Sequence, residues 1–226
     1  MPPLSKLILA AGIALCPLSL PVYAEESATL TGVVLRAPAQ SSGHQAVSRY
    51  RGRTALAEQS AGEDCQCNPG LYSVVYLTGD NLPPLSGNTD SIPRMAQKDQ
   101  RFEPSVMAVS VGTKVSFPNL DPFYHNVFSY SKTKRFDLGR YPQGESKVVE
   151  FDKPGLVKIF CEIHFSMRAY VHVLETPYFA TSDEQGQFRI DNIAPGTYTL
   201  NVWQENLPLI QRPVTVTQDS THIEIE

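Results

Sequence analysis

The sequence predicts an all-β chain of the sandwich type, on three observations. Short runs of Val, Ile, Thr, Tyr and Phe alternate with polar residues, as strands with one buried face require. Eighteen prolines and fourteen glycines punctuate the 226 residues and suit frequent turns. No stretch sustains a 3.6-residue apolar period over the roughly ten residues that a helix needs. The formal net charge of −4 is mild, and without a basic stripe it argues against a nucleic-acid partner.

Taken in chain order, residues 1–24 carry Lys6, an apolar run over 7–15, and Val22-Tyr23-Ala24 as a small-residue cleavage signal. This order reads as a secretory signal peptide. The apolar run is shorter than the about 20 residues of a membrane span. Leu15 is too large for a lipoprotein signal ahead of Cys16, so cleavage after Ala24 is expected. The mature chain would then be periplasmic, carry a charge of −5 after loss of Lys6, and have no transmembrane segment.

Leu30-Thr31-Gly32-Val33-Val34-Leu35 and residues 72–77 read as strands. Between them, residues 37–67 are polar and weakly patterned, with Ser41-Ser42-Gly43 and a stretch from Arg49 to Arg53, and read as a long loop or partly ordered insert. Near the C-terminus, Gln187-Phe188-Arg189-Ile190 and Tyr198-Thr199-Leu200-Asn201-Val202-Trp203 are alternating strands. They are set off by Asp183-Glu184-Gln185-Gly186 and Ile193-Ala194-Pro195-Gly196, which read as hairpin turns.

The middle of the chain carries the chemistry. Phe160-Cys161-Glu162-Ile163-His164-Phe165-Ser166-Met167, with Tyr124-His125-Asn126 upstream, offers one thiolate, two imidazoles and one thioether. Two His, one Cys and a weak axial Met form the ligand set of a blue copper electron-transfer site. Cys161 follows the apolar run Leu156, Val157, Ile159, Phe160, and Met167 precedes Ala169, Tyr170, Val171, Val173. Three ligands therefore share one tight loop between two strands. His125 arrives from a strand 36 residues before Cys161, room enough for a strand pair to go out and return. Zinc takes Cys and His as well; the thioether argues against it, and His172 would be the substitute ligand if it shared the face.

Cys161-x2-His164-x2-Met167 resembles the short ligand loop of amicyanin-type cupredoxins. Phe102-Glu103-Pro104, the run from Val111 through Gly112 to Phe117, and His125-Asn126-Val127 follow the order of that family's leading strand, Gly turn and first histidine. The resemblance implies a Greek-key cupredoxin sandwich over residues 93–175. It also implies one type 1 copper ion held by His125, Cys161, His164 and Met167. Asn126 would tie the two ligand segments together, a role typical of groups behind metal ligands. The imidazole edge of His164 would be the electron port, with Phe123, Tyr124 and Phe165 as a docking rim for a redox partner protein.

The C-terminal pattern Asp-x-x-Gly-x-Phe-x-Ile followed by Pro-Gly-x-Tyr-x-Leu is similar to carboxypeptidase regulatory-like, or transthyretin-like, sandwiches. These begin with a Gly-x-Val strand, here at Gly32. The expected organisation is a discontinuous sandwich over 28–92 plus 176–226, with the cupredoxin inserted in it. The alternative is that the N-terminal strands simply extend the cupredoxin. Chains of this appearance resemble methylamine utilisation proteins, although no residue here specifies methylamine.

With Cys16 removed, Cys65, Cys67 and Cys161 remain. If copper holds Cys161, the close pair Cys65 and Cys67 has three fates: a strained bridge, an intermolecular contact, or a secondary copper(I) site. No His-Glu-x-x-His motif occurs, and only His44, His172 and His222 lie outside the ligand set. No enzyme activity is expected. The expected function is one-electron transfer; copper carriage, storage or sensing, and adhesion or carbohydrate binding around a structural copper site, are the alternatives.

Overall fold

In the computed structural model, residues 27–35, 72–80, 82–83 and 91–226 are described. The expected signal peptide, the 37–67 loop, His44, Cys65 and Cys67 lie outside them. Every regular element among the described residues is a strand. In order these are β1 (Ala28–Val34), β2 (Ser73–Thr78), β3 (Ala96–Lys98), β4 (Arg101–Glu103), β5 (Val106–Ser110), β6 (Thr113–Pro118), β7 (His125–Tyr130) and β8 (Arg135–Tyr141). They continue with β9 (Ser146–Phe151), β10 (Gly155–Phe160), β11 (Arg168–Leu174), β12 (Phe179–Thr181), β13 (Gln187–Ile193), β14 (Gly196–Gln204), β15 (Ile210–Val216) and β16 (Thr221–Ile225). No helix among the described residues is long and apolar enough to cross a membrane.

The middle of the chain forms a five-stranded sheet in the order β5-β11-β10-β7-β8, with the β6-β9 pair and the β3-β4 hairpin as separate ribbons. Alternation decides which residues go inside: on β10, Val157 and Ile159 are buried while Lys158 between them is exposed. These two join Phe117, Phe151, Tyr141, Val171 and Val173 in one apolar core that also takes in Cys161 and Met167. Each such aliphatic side chain contributes about 1.5–3 kcal/mol by leaving water. Tyr141 is the polar exception in the core. Its hydroxyl donates to the Phe117 carbonyl at 2.8 Å and accepts from Gln97 Nε2 at 2.6 Å, so its burial leaves no orphan.

A second core gathers strands from both ends of the chain, including Leu30, Val75, Leu77, Phe188, Leu200 and Ile225. Here β1 lies between β13, antiparallel, and β16, parallel. The other sheet runs β12-β2-β14-β15. Gly32 is required by this packing. A Cβ at that position would lie 2.3 Å from the Ile223 carbonyl oxygen and 2.8 Å from the Phe188 ring.

Two expected hairpins are not hairpins. β12 pairs with β2, β13 with β1, and β14 with β2 and β15. The turns at 183–186 and 194–196 therefore carry the chain from one sheet to the other. Turn residues mark where a strand stops; which neighbour the next strand takes is fixed by pairing far away in sequence. The same non-local pairing joins β10 to β7 antiparallel, which brings the end of β10 beside the start of β7.

Candidate metal centre

His125 opens β7 and is fully buried, and Cys161 follows β10 at 3% exposure. The seven-residue loop 161–167 then returns to β11, where Phe160 pairs with Arg168. Its own backbone closes it: Met167 N–H donates to the His164 carbonyl at 3.0 Å, and Cys161 N–H donates to the Met167 carbonyl at 3.3 Å. Met167 is fully buried in the same core as Cys161.

Three ligand atoms converge. His125 Nδ1 lies 3.1 Å from His164 Nδ1 and 3.8 Å from Cys161 Sγ, and all three residues offer ligand atoms within 4.8 Å of one another. The tautomer of His125 follows from its other side. Its Nε2 meets Asp121 Oδ2 at 2.8 Å, and a carboxylate only accepts, so the proton of the neutral ring sits on Nε2. Nδ1 is left as a buried lone pair aimed at a thiol and a second imidazole. A soft sulfur and two imidazoles in that arrangement fit a copper ion.

Asp121 is itself held by three donors. Burial works against its charge, but the Gln100 N–H, the His125 ring and the Asp99 N–H outweigh that and keep its carboxyl below the usual range. The two N–H groups donate at 3.0 and 2.7 Å from the β3-β4 turn. Asn119 shapes the segment between: its Oδ1 accepts from Asp121 N–H at 3.0 Å, and its Nδ2 donates to the Phe123 and Tyr141 carbonyls. The His164 imidazole is held below its ordinary value by partial burial and by its neighbour His125, against the pull of Asp121.

Asn126 Oδ1 accepts from Glu162 N–H at 2.7 Å, which ties the loop after Cys161 to the strand that carries His125. Phe123 packs edge-on against His125 and tilted against His164, with ring centroids 5.1 Å and 5.5 Å away. Phe165 is 95% exposed and Tyr124 57%, so both stand on the surface next to candidate ligand residues. His172 lies elsewhere, against the rings of Tyr76 and Trp203. His222 is also away from the site, beside Thr31.

Asp121 and Asn119 are site residues that the structure adds to those expected from the sequence. The signal is the spacing Asn119-x-Asp121-x3-His125, an acid four residues ahead of a candidate ligand. In a loop, that spacing alone does not say where the carboxylate points.

Residues 93–174 match the family of copper binding proteins, plastocyanin/azurin family. Residues 167–223 match polysaccharide lyase family 4, domain II, so the two matches share the segment that contains β11. No curated protein matches the chain. Among solved structures, a Cu-containing nitrite reductase (NirK) from Thermus scotoductus SA-01 is 24% identical with a TM-score of 0.36, over 44% of this chain and 25% of that one. This chain thus spans a quarter of that reductase. An oxidised amicyanin point mutant is 17% identical with a TM-score of 0.36, over 44% of this chain and 98% of its own. A purple cupredoxin from Nitrosopumilus maritimus is 21% identical with a TM-score of 0.33, over 36% and 99%. Residues 93–174 thus match a copper-binding domain of the plastocyanin/azurin family, their strands fit a cupredoxin β-sandwich, and copper is the cofactor that this match and the His125, Cys161 and His164 group support.

Proposed function

We propose that this chain is an exported one-electron carrier. In this reading His125, Cys161 and His164 hold copper with Met167 as the axial ligand, and the chain has no catalytic activity of its own. The observation that carries the proposal is the His125 lone pair, fixed by Asp121 and aimed at Cys161 Sγ and His164 Nδ1. Bound copper would supply a single electron that is taken up and given back.

The residues around the site would keep the ligands still while the charge changes. Asp121 fixes the His125 ring, and Asn126 fixes the backbone after Cys161. The loop is closed by its own two hydrogen bonds. Copper(I) and copper(II) would thus meet nearly the same set of atoms. The exposed Phe165 and Tyr124, with Phe123 against both imidazoles, offer an apolar rim of the small kind that transient redox encounters use.

Export rests on the N-terminal signal, and the split arrangement of 28–92 plus 176–226 around 93–175 is part of the same proposal. The regulatory-like character of the outer sandwich and the likeness to methylamine utilisation proteins rest on the sequence patterns alone. Voltammetry of copper-loaded protein, paired with a chelator challenge, tests the role. Reversible oxidation with copper retained in both states supports electron transfer. Rapid loss of copper(I) to the chelator would replace that role with copper carriage.

A further inference from the structure

β11 is shared between the two cores. Ala169, Val171 and Val173 point into the core that holds Cys161 and Met167. The alternate residues face the other way: Tyr170 and Leu174 pack with Val74 and Val106, alongside Tyr76 and Trp203. The Tyr170 and Trp203 rings lie 5.3 Å apart, and those of His172 and Trp203 5.8 Å. One strand therefore leads straight out of the ligand loop and into the contact with the outer sandwich.

At the head of that strand stands Glu205, in the turn directly after β14. Its side chain is only 7% exposed, and its Oε1 lies 3.6 Å from Arg168 Nε. The same oxygen accepts the Tyr170 hydroxyl. A carboxylate removed from water needs such partners, and leaving it or them unpaired is costly. Arg168 directly follows Met167, and Tyr170 N–H is tied on its other side to the Ser105 carbonyl at 2.9 Å.

We propose that Glu205 is a positioning residue for the copper site: the outer sandwich clamps Arg168 and Tyr170 through it and so fixes the exit of the ligand loop at Met167. The proposal deepens the electron-carrier reading and rests on it for its meaning. The clamp itself is a property of the protein without metal. Fusing a second sandwich to the domain would then do more than tether it, since the outer unit would set how firmly the axial side of the site is held.

The test uses the full chain carrying Glu205→Ala and, separately, Tyr170→Phe. In metal-free protein, hydrogen exchange at the Cys161 and Met167 amides, which close the loop, should quicken by about tenfold or more in Glu205→Ala. A smaller change is expected in Tyr170→Phe, where the Arg168 ion pair survives, and amides of β6 and β9 should keep their wild-type rates. In copper-loaded Glu205→Ala, the ratio of the thiolate absorption bands and the reduction potential should both move. Wild-type exchange at Cys161 and Met167, or a uniform quickening at all amides, would overturn the clamp. Should Glu205→Ala not fold, Tyr170→Phe decides by the same exchange readout. A wild-type protein with no thiolate-to-copper band would sink the electron-carrier reading alone, because the exchange comparison needs no metal.

Discussion

Asp121 Oδ2 and His125 Nε2 are hydrogen-bonded at 2.8 Å across four residues, with both side chains almost fully buried. This contact decides which nitrogen of His125 is free to bind metal. It also links the site to the β3-β4 turn, whose Asp99 and Gln100 N–H groups share the same carboxylate.

Replacing Asp121 with Ala should therefore weaken copper binding without removing a ligand. Loss of a carboxylate behind a ligating histidine typically costs 10–100-fold in affinity, and a loss in that range is expected here. Competition titration against a chelator of known affinity measures it. Unchanged affinity would mean that the His125 ring is oriented by packing alone.

Asn126→Ala should lower stability by about 1–3 kcal/mol, because the Glu162 N–H would lose its acceptor next to the buried site. Thermal unfolding of metal-free protein reads this effect. A melting temperature equal to wild type would show that water replaces the amide without loss.

His172 predicts a pH dependence that is separate from the copper site. Burial between Tyr76 and Trp203 pushes its imidazole down to about 4, while the unfolded chain takes up the proton near 6.5. The contribution is thus fully present above about pH 6.5 and is lost as pH falls towards 4, with a total on the order of 3 kcal/mol. Denaturant unfolding of wild type and His172→Phe between these pH values checks it. The variant should lose distinctly less stability over that interval; parallel curves would contradict the assignment.

Much of this was legible in the sequence because it is local. Cys161, His164 and Met167 sit on one loop, and the apolar runs on either side announce the strands that hold it. His125 is marked by its residue type and by the Asn126 that follows. What escaped depends on distant pairing. Neither the Glu205 contact with Arg168 and Tyr170 nor the crossing of chain between sheets at 183–186 follows from neighbours in sequence. Asp121 lay between, close in sequence to His125 but aimed by a loop whose shape Asn119 sets. His172 shows the converse: alternation places it on the face opposite Val171 and Val173, yet only the fold supplies the aromatic surroundings that keep it neutral.

Met167→Leu should retain copper and raise its potential, since the axial ligand tunes the couple. Voltammetry of the loaded variant measures the shift. An unchanged potential would remove Met167 from the ligand set.

The most direct test of the central claim is the absorption and electron paramagnetic resonance spectrum of copper(II)-loaded protein beside its Cys161→Ser variant. An intense visible thiolate band with narrow copper hyperfine splitting, lost in the variant, is the predicted result. A colourless wild type with ordinary copper signals, or a band that survives in Cys161→Ser, would contradict the account.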